Sequence, residues 1–421
     1  VLKIIFCFAK NKKGVVMRIV RNIDSLEKLV VHKRVTKNRV AERVAKILKN
    51  VGERGDDALI EYTKKFDKVK LLPKELRVSE SEVSAAFNDL DAALIAAFKR
   101  AIENVTRFYK RQVPKPVKVK EANGKVLCSR YFPLGRVGVY VPAGTAPLVS
   151  TVYMAVIPAL VAGVKEIVLV SPPRKDKLMN SFILAIASLL KIKEIYRVGG
   201  AQAIAALAYG TKTIRKVNKI VGPGNEFVTE AKRQVFGDVD IDMLAGPSEI
   251  VIIASKDAKV DYIIADLEAQ MEHRNGAGIV ITNSRKIIKE LRNEKVNGLA
   301  LRVRTLDEAC EAANRIAPEH LEILTRNPAA LARKIHNAGA IFLGENTPVA
   351  LGDYTAGPSH VLPTGGSASF FSSLSVREFL KEVHILDYTK KALQDEVEVL
   401  EKIATLEGMV KHIESVKKRL G

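Results

Sequence analysis

The stretch Asp266-Leu-Glu-Ala-Gln270-Met-Glu-His273-Arg-Asn-Gly-Ala277 gathers residue types that can do chemistry together. Apolar Tyr262, Ile263, Ile264 and Leu267 predict a helix that ends near Gly276. Gln270 and His273 then share one face of that helix. An amide oxygen beside an imidazole nitrogen makes two candidate ligands for a divalent metal. Two ligands are not a site, because catalytic zinc takes about three from the protein and keeps one position open. Taken alone, the stretch reads more simply as a polar helix end in water.

Further candidates lie downstream. In Ala317-Pro-Glu319-His320-Leu, a glutamate and a histidine side by side after a proline suit an acid/base pair. A surface Glu-His at a strand entrance fits that tripeptide equally well. The run from Leu351 to Thr364 is rich in Gly and Pro yet holds Asp353 and His360, which predicts a loop over a site. A helical tail from Leu393 to Leu420 carries Glu407 and His412, where a histidine is ordinarily just surface.

These residues need elements to hold them. From Tyr131 to Gln234, short apolar strands ending at Tyr140, Val170, Val198 and Val221 alternate with helical segments. That alternation predicts a parallel sheet covered by helices. Ligands in such sheets bind at the carboxyl ends of the strands. Those ends are Tyr140-Val-Pro-Ala-Gly144, Gly199-Gly-Ala-Gln202 and Gly222-Pro-Gly-Asn225. Glycines there let backbone N–H groups approach a phosphate, and Gln202 and Asn225 add amide donors. A nucleotide site follows, although no Gly-x-Gly-x-x-Gly fingerprint succeeds any of these strands. A second alternation begins at the strand Ile250–Ala254 and runs through Ala340–Leu343. Before both, residues 38–113 read as helical scaffold, with a Ser79-x-x-Glu82 capping-box pattern and no evident chemistry.

Composition sets the outer limits. A chain of 421 residues exceeds one ordinary core, so two or more domains are expected. Its 68 basic against 47 acidic residues give +21, which suits an anionic partner, either nucleic acid or a phosphate-bearing cofactor. The basic residues are scattered and aromatics make up only 6 %, so nucleic acid ranks well behind a small-molecule enzyme. No apolar run is long enough to span a bilayer. Three distant cysteines (Cys7, Cys128, Cys310) argue against a disulfide framework and for a reducing cytoplasm. Met17 is a candidate start, since the apolar run before it has its positive cluster on the wrong side for a secretory signal.

Five segments carry an identity jointly: Gly246-Pro-Ser-Glu249, Gln270-Met-Glu-His273, Pro318-Glu-His320, Gly352-Asp353-Tyr with His360-Val-Leu-Pro-Thr364, and Glu407 through His412. In this order and spacing they resemble histidinol dehydrogenase, from about Met17 to near the C-terminus. The resemblance implies an α/β fold of two Rossmann-like parallel-sheet domains, lacking the usual dinucleotide fingerprint, with helical N- and C-terminal extensions. It divides the chain into an N-terminal extension (1–36), a main domain (37–139 and 247–374), a cofactor domain (140–246) and a C-terminal tail (375–421). It also implies a homodimer that oxidises L-histidinol to L-histidine through the aldehyde, with one zinc ion per site and two NAD per turnover. By the same resemblance Gln270, His273, Asp353 and His412 hold zinc, and Tyr140, Gln202 and Asn225 hold NAD. Ser248, His360 and Glu407 touch substrate, as do His320 and the zinc ligands, while Glu319 and His320 are the acid/base residues. The tail is expected to reach the partner subunit. The chain departs from the family pattern at Ala143, Met271, Arg274 and Ser359, none of which is a ligand or a base. The competing reading is a zinc metallohydrolase in which Glu319 activates water.

Overall fold

The computed structural model describes residues 17–30, 38–143, 147–273, 276–294 and 296–421. Two parallel sheets organise it. The larger has six strands in the order Met17–Val20, Gly298–Arg302, Ala277–Thr282, Glu249–Ala254, His320–Leu324 and Ala340–Leu343. The smaller has five, in the order Glu194–Arg197, Glu166–Ser171, Arg136–Tyr140, Lys219–Val221 and Asp240–Ile241. All pairings within both are parallel. Their central strands are apolar along their whole length because helices cover both faces, as in Ile250–Ala254 and Ile167–Val170.

Each sheet is sandwiched between two apolar clusters. On the small sheet, Val137, Val139, Ile167 and Leu169 pack against the helices Ala92–Lys110, Ser150–Ala162 and Ser181–Leu189. The other face, with Tyr140, Val168 and Ile220, packs against the helices Asn38–Arg54, Asp56–Phe66, Gly200–Tyr209 and Glu226–Val235. The N-terminal helices therefore lie on the small sheet. On the large sheet, one face packs against Ile23–Val30 and Leu306–Ile316, and the other against Val260–Glu272 and Arg285–Asn293.

A third sheet is antiparallel: Val117–Lys120 and Val126–Pro133 form a hairpin whose outer partner is Leu380–Asp387. The C-terminal extension thus opens with a strand, before the helices Lys390–Leu406 and Val410–Leu420. Most of the expected extension 1–36 lies outside the described residues; its segment 17–30 supplies an edge strand of the large sheet and a helix. The expected capping box is half formed. Ser79 accepts the Glu82 N–H, but the Glu82 carboxylate pairs instead with Arg197. At the amino end of the small sheet, Arg136 is closed in by Glu166 and Glu194, each at 2.8 Å from its Nη1.

Candidate active site

The large sheet reverses its strand order beside Glu249–Ala254, since later strands run first to one side and then to the other. The candidate catalytic groups gather at the amino ends of the two strands at this switch. Glu249 is the first residue of its strand and His320 the first of its own, paired across from Ile250. Glu319 precedes His320 in a sharp approach. The helix Leu306–Ile316 ends at Ala317, which takes a left-handed φ of 49°, and Pro318 prevents any continuation. A non-glycine residue in that region costs on the order of 1 kcal/mol and persists only where its surroundings over-determine it. Behind Glu319 the fit is tight, because a Cβ on Gly339 would lie 2.6 Å from the Glu319 carbonyl oxygen.

Glu319 and His320 are both buried, and their hydrogen bonds fix their aim. The Glu319 Oε2 accepts the Ser248 hydroxyl at 2.5 Å and the Glu249 N–H at 3.0 Å. The His320 Nδ1 lies 3.2 Å from the Glu249 carbonyl oxygen, which can only accept, so the proton sits on Nδ1 and the Nε2 lone pair is free. That Nε2 is 3.9 Å from Asp353 Oδ1. Burial pushes the imidazole down to about 4 and the Glu319 carboxyl up to about 8. The imidazole is therefore neutral at pH 7, with Nε2 able to accept a proton, and the carboxyl holds its proton more tightly than an exposed one.

Opposite them stand His273 and Asp353. The helix Val260–Glu272 ends with His273 as its C-cap in extended conformation, and its imidazole is exposed to the cleft. Asp353 sits on the short helix Val349–Tyr354, half-buried, within the electrostatic reach of both His320 and His273. The following loop is held from outside: Tyr109 donates to Leu374 O and accepts the Ser359 N–H at 2.8 Å, and Asn104 donates to Thr355 O. The cleft so formed has about 740 Å³ of empty space, counting the part open to solvent, and is lined among others by Ser248, His273, Glu319, His320, Asp353 and His360.

Gln270 lies in the last turn of the helix and is buried, its Nε2 without a partner, while His273 follows as the exposed C-cap. His360 likewise presents a buried Nε2 without a partner. Glu407 and His412 are exposed on the tail and do not line this cleft. Among the described residues no group of three or more His, Cys, Asp or Glu side chains is arranged to hold a metal. One chain thus assembles His273 and Asp353, with Gln270 adjacent in sequence, and leaves His412 apart. As donors, an imidazole, a carboxylate and an amide oxygen suit zinc, and His360, whose buried Nε2 is orphaned, lines the same cleft as His273 and Asp353. Arg274 lies outside the described residues; Met271 packs towards Gly278, and Ser359 bonds the loop to itself through the Val361 N–H.

The expected cofactor residues sit at the carboxyl ends of the small sheet. Tyr140 is buried and its hydroxyl accepts the Gly200 N–H at 3.3 Å. Gln202 is buried on the first turn of Gly200–Tyr209, with its Oε1 unpartnered. Asn225 is exposed and its Oδ1 caps Glu226–Val235, accepting from Phe227 and Val228, which leaves its amide nitrogen available. Gly222 (φ 118°) permits the closest approach, since a Cβ there would lie 2.1 Å from the Tyr140 carbonyl oxygen. Gly144 lies outside the described residues. Two residues escaped the sequence reading. Glu249 lies inside a quoted motif, and a lone glutamate heading an apolar strand was its only signal. Asp67, whose charge reaches the Tyr140 phenol, gave none.

The family model described as histidinol dehydrogenase matches residues 31–420. The histidinol dehydrogenase of Clostridium acetobutylicum is 46 % identical over 399 residues, which cover 90 % of this chain and 92 % of that protein. That of Bacillus subtilis is 42 % identical over 421 residues, covering 95 % and 98 %. A crystal structure of the histidinol dehydrogenase from Elizabethkingia anophelis superposes with a TM-score of 0.90 at 34 % identity, over 96 % of this chain and 98 % of the other. With its cleft, its five segments and these likenesses in agreement, the chain belongs to the histidinol dehydrogenase family.

Proposed function

We propose that this oxidoreductase converts L-histidinol to L-histidine through the aldehyde, a four-electron oxidation that closes histidine biosynthesis, with NAD as acceptor in each half. The observation that carries the reading is the pairing, in one cleft, of a buried Glu319–His320 couple with His273 and Asp353. When bound, NAD supplies the hydride acceptor and zinc a fixed positive charge that orients substrate. Gln270, His273, Asp353 and a His412 are the zinc donors; Tyr140, Gln202 and Asn225 are the NAD contacts.

The protein's own part is proton handling. Removing hydride from an alcohol carbon requires the hydroxyl proton to leave, and the His320 Nε2, beside Asp353, is the base that takes it. An aldehyde becomes an acid only after water adds, and Glu319, buried beside the cleft, is the residue that in its ionised form takes that water's proton. Ser248, by donating to Glu319, keeps one carboxylate oxygen fixed and leaves the other for this work. His360 and Ser248 line the substrate's side of the cleft. The walls of the cleft also slow the escape of a reactive aldehyde between its two oxidations.

The working unit is a homodimer in which each cleft is completed by Glu407 and His412 of the second chain. Support comes from the tail itself, where Leu406 is 88 %, Val410 59 % and Met409 47 % exposed in the single chain. Apolar side chains so exposed on consecutive turns are expected to be covered by a partner. Among the described residues no helix is long and apolar enough to cross a membrane. A cytoplasmic location agrees with free Cys128 and Cys310. The decisive measurement is NADH formation on adding histidinol, with and without a chelator. Two NADH per histidine, abolished by chelation and restored by zinc, is the expected result; turnover without NADH would instead fit a hydrolase.

A further inference from the structure

Among the buried oxygens without a partner near the carboxyl ends of the small sheet's strands are Asp67 Oδ2 and Gln202 Oε1. Buried polar atoms are nearly always paired, so an orphan marks a place for a water or a ligand. These two belong to one neighbourhood. Asp67 is the C-cap of the helix Asp56–Phe66 and is near enough for its charge to act on the Tyr140 phenol. The Tyr140 hydroxyl bonds the Gly200 N–H, and Gln202 Oε1 is so close to Gly200 that a Cβ there would come within 2.7 Å of it. Lys68, next in sequence, is held at φ 63°, a conformation that non-glycine residues adopt only under constraint. Burial raises the Asp67 carboxyl to about 6, so it is mainly ionised at neutral pH and can only accept.

The ligand this cluster suits is one with two adjacent O–H donors on a compact ring and no negative charge beside them. A ribose cis-diol has that form. We propose that Asp67, together with Tyr140 and Gln202, binds a ribose hydroxyl pair of NAD, and that its negative charge rejects the 2′-phosphorylated cofactor. The proposal rests on the reading that the small sheet carries NAD. A carboxylate at a ribose diol performs this selection in other dinucleotide sites, where it is reached through a glycine fingerprint that this chain lacks.

The test is direct binding of NAD and NADP, by calorimetry, to the zinc-loaded dimer and to its Asp67→Ala, Asp67→Asn and Gln202→Ala variants, with histidinol binding as a control. Asp67→Ala is expected to weaken NAD by about 10- to 100-fold, the usual worth of a charge-assisted hydrogen bond. NADP binding should stay level or tighten, so the preference for NAD falls at least about 10-fold. Asp67→Asn is nearly isosteric and keeps an acceptor, so it should narrow the preference chiefly by improving NADP; it serves even if the alanine variant does not fold. Unchanged NAD and NADP affinities in both Asp67 variants would mean that water fills the orphan position, and the proposal falls alone. A parental dimer that binds histidinol but no NAD, or a Gln202→Ala variant that binds NAD normally, would instead remove the reading beneath it.

Discussion

The two parallel sheets present their candidate groups at opposite ends. On the small sheet the candidate cofactor residues follow the strand carboxyl ends, at Tyr140, Gly200 and Gly222, while the amino end is closed by Arg136 with Glu166 and Glu194. On the large sheet the candidate acid/base groups sit at amino ends, where Glu249 and His320 begin their strands. The carboxyl-end rule describes where helix N-termini and glycine turns converge, and it therefore holds for a phosphate-bearing ligand. Acid/base groups need no such dipole. They need burial and fixed hydrogen bonds, which a strand's first residues supply through the backbone of the neighbouring strand, as Glu249 does for Glu319 and His320.

The sharpest way to break that comparison is to remove the base. His320→Ala should lower kcat for both oxidations by roughly 10²–10⁴-fold, the worth of a positioned general base, with NAD binding unchanged. Glu319→Gln should spare histidinol oxidation and slow the aldehyde step. Feeding the aldehyde directly to Glu319→Gln tests this, and conversion at the parental rate would remove Glu319 from water activation.

How far the sequence revealed these two ends differs for a physical reason. Strands buried on both faces appear as unbroken apolar runs, so Glu166–Ser171 and Ala277–Thr282 were legible from composition alone. The antiparallel sheet was not. Val117–Lys120 is exposed throughout, and the strand that pairs with its hairpin lies in what reads as a helical tail. Glu319 and His320 could be found as a pair because proline and sequence adjacency mark them, whereas Glu249 meets them through its backbone N–H and carbonyl, which the glutamate heading an apolar strand does not reveal. The gathering of His273 with Asp353 depends on how the helix end and the 353–360 loop meet, and no local pattern encodes it.

Next in size is the effect that tests whether one chain makes a whole site. Glu319→Ala and His412→Ala dimers should each be nearly inactive. Unfolded and refolded together, about half the dimers are mixed, and in each of those one site carries both defects and the other neither. Activity should return to roughly a quarter of the parental level, given random pairing and independent sites. No recovery after verified subunit exchange would place the tail in its own chain's cleft.

A pair of glycine substitutions sharpens the division between sheets with a smaller effect. Gly222→Ala puts a Cβ 2.1 Å from the Tyr140 carbonyl oxygen, and Gly276→Ala puts one 2.0 Å from that of Gln270. The first should weaken NAD by about 10-fold and leave zinc affinity alone; the second should weaken zinc by a similar factor and leave NAD alone, a backbone shift at each costing on the order of 1–3 kcal/mol. Calorimetry with each ligand decides it, and a crossed result would mean that the two ends are not separate.

The hairpin Val117–Pro133 has a bearing on how the chain is made. Ser129 meets His384 across 255 residues of sequence, and Met17–Val20 likewise waits for Gly298–Arg302. At 5–20 residues per second on a ribosome, roughly 13–50 s separate the hairpin's emergence from that of its third strand. During that interval the hairpin's outer edge is an open template for pairing with any extended chain. The lysines of Val117-Lys-Val-Lys120 put charge on the hairpin's opposite edge. The edge that awaits Leu380–Asp387 carries Arg130 as its one charge before the C-terminal segment is synthesised, so truncation ahead of Leu380 should raise aggregation, read by light scattering.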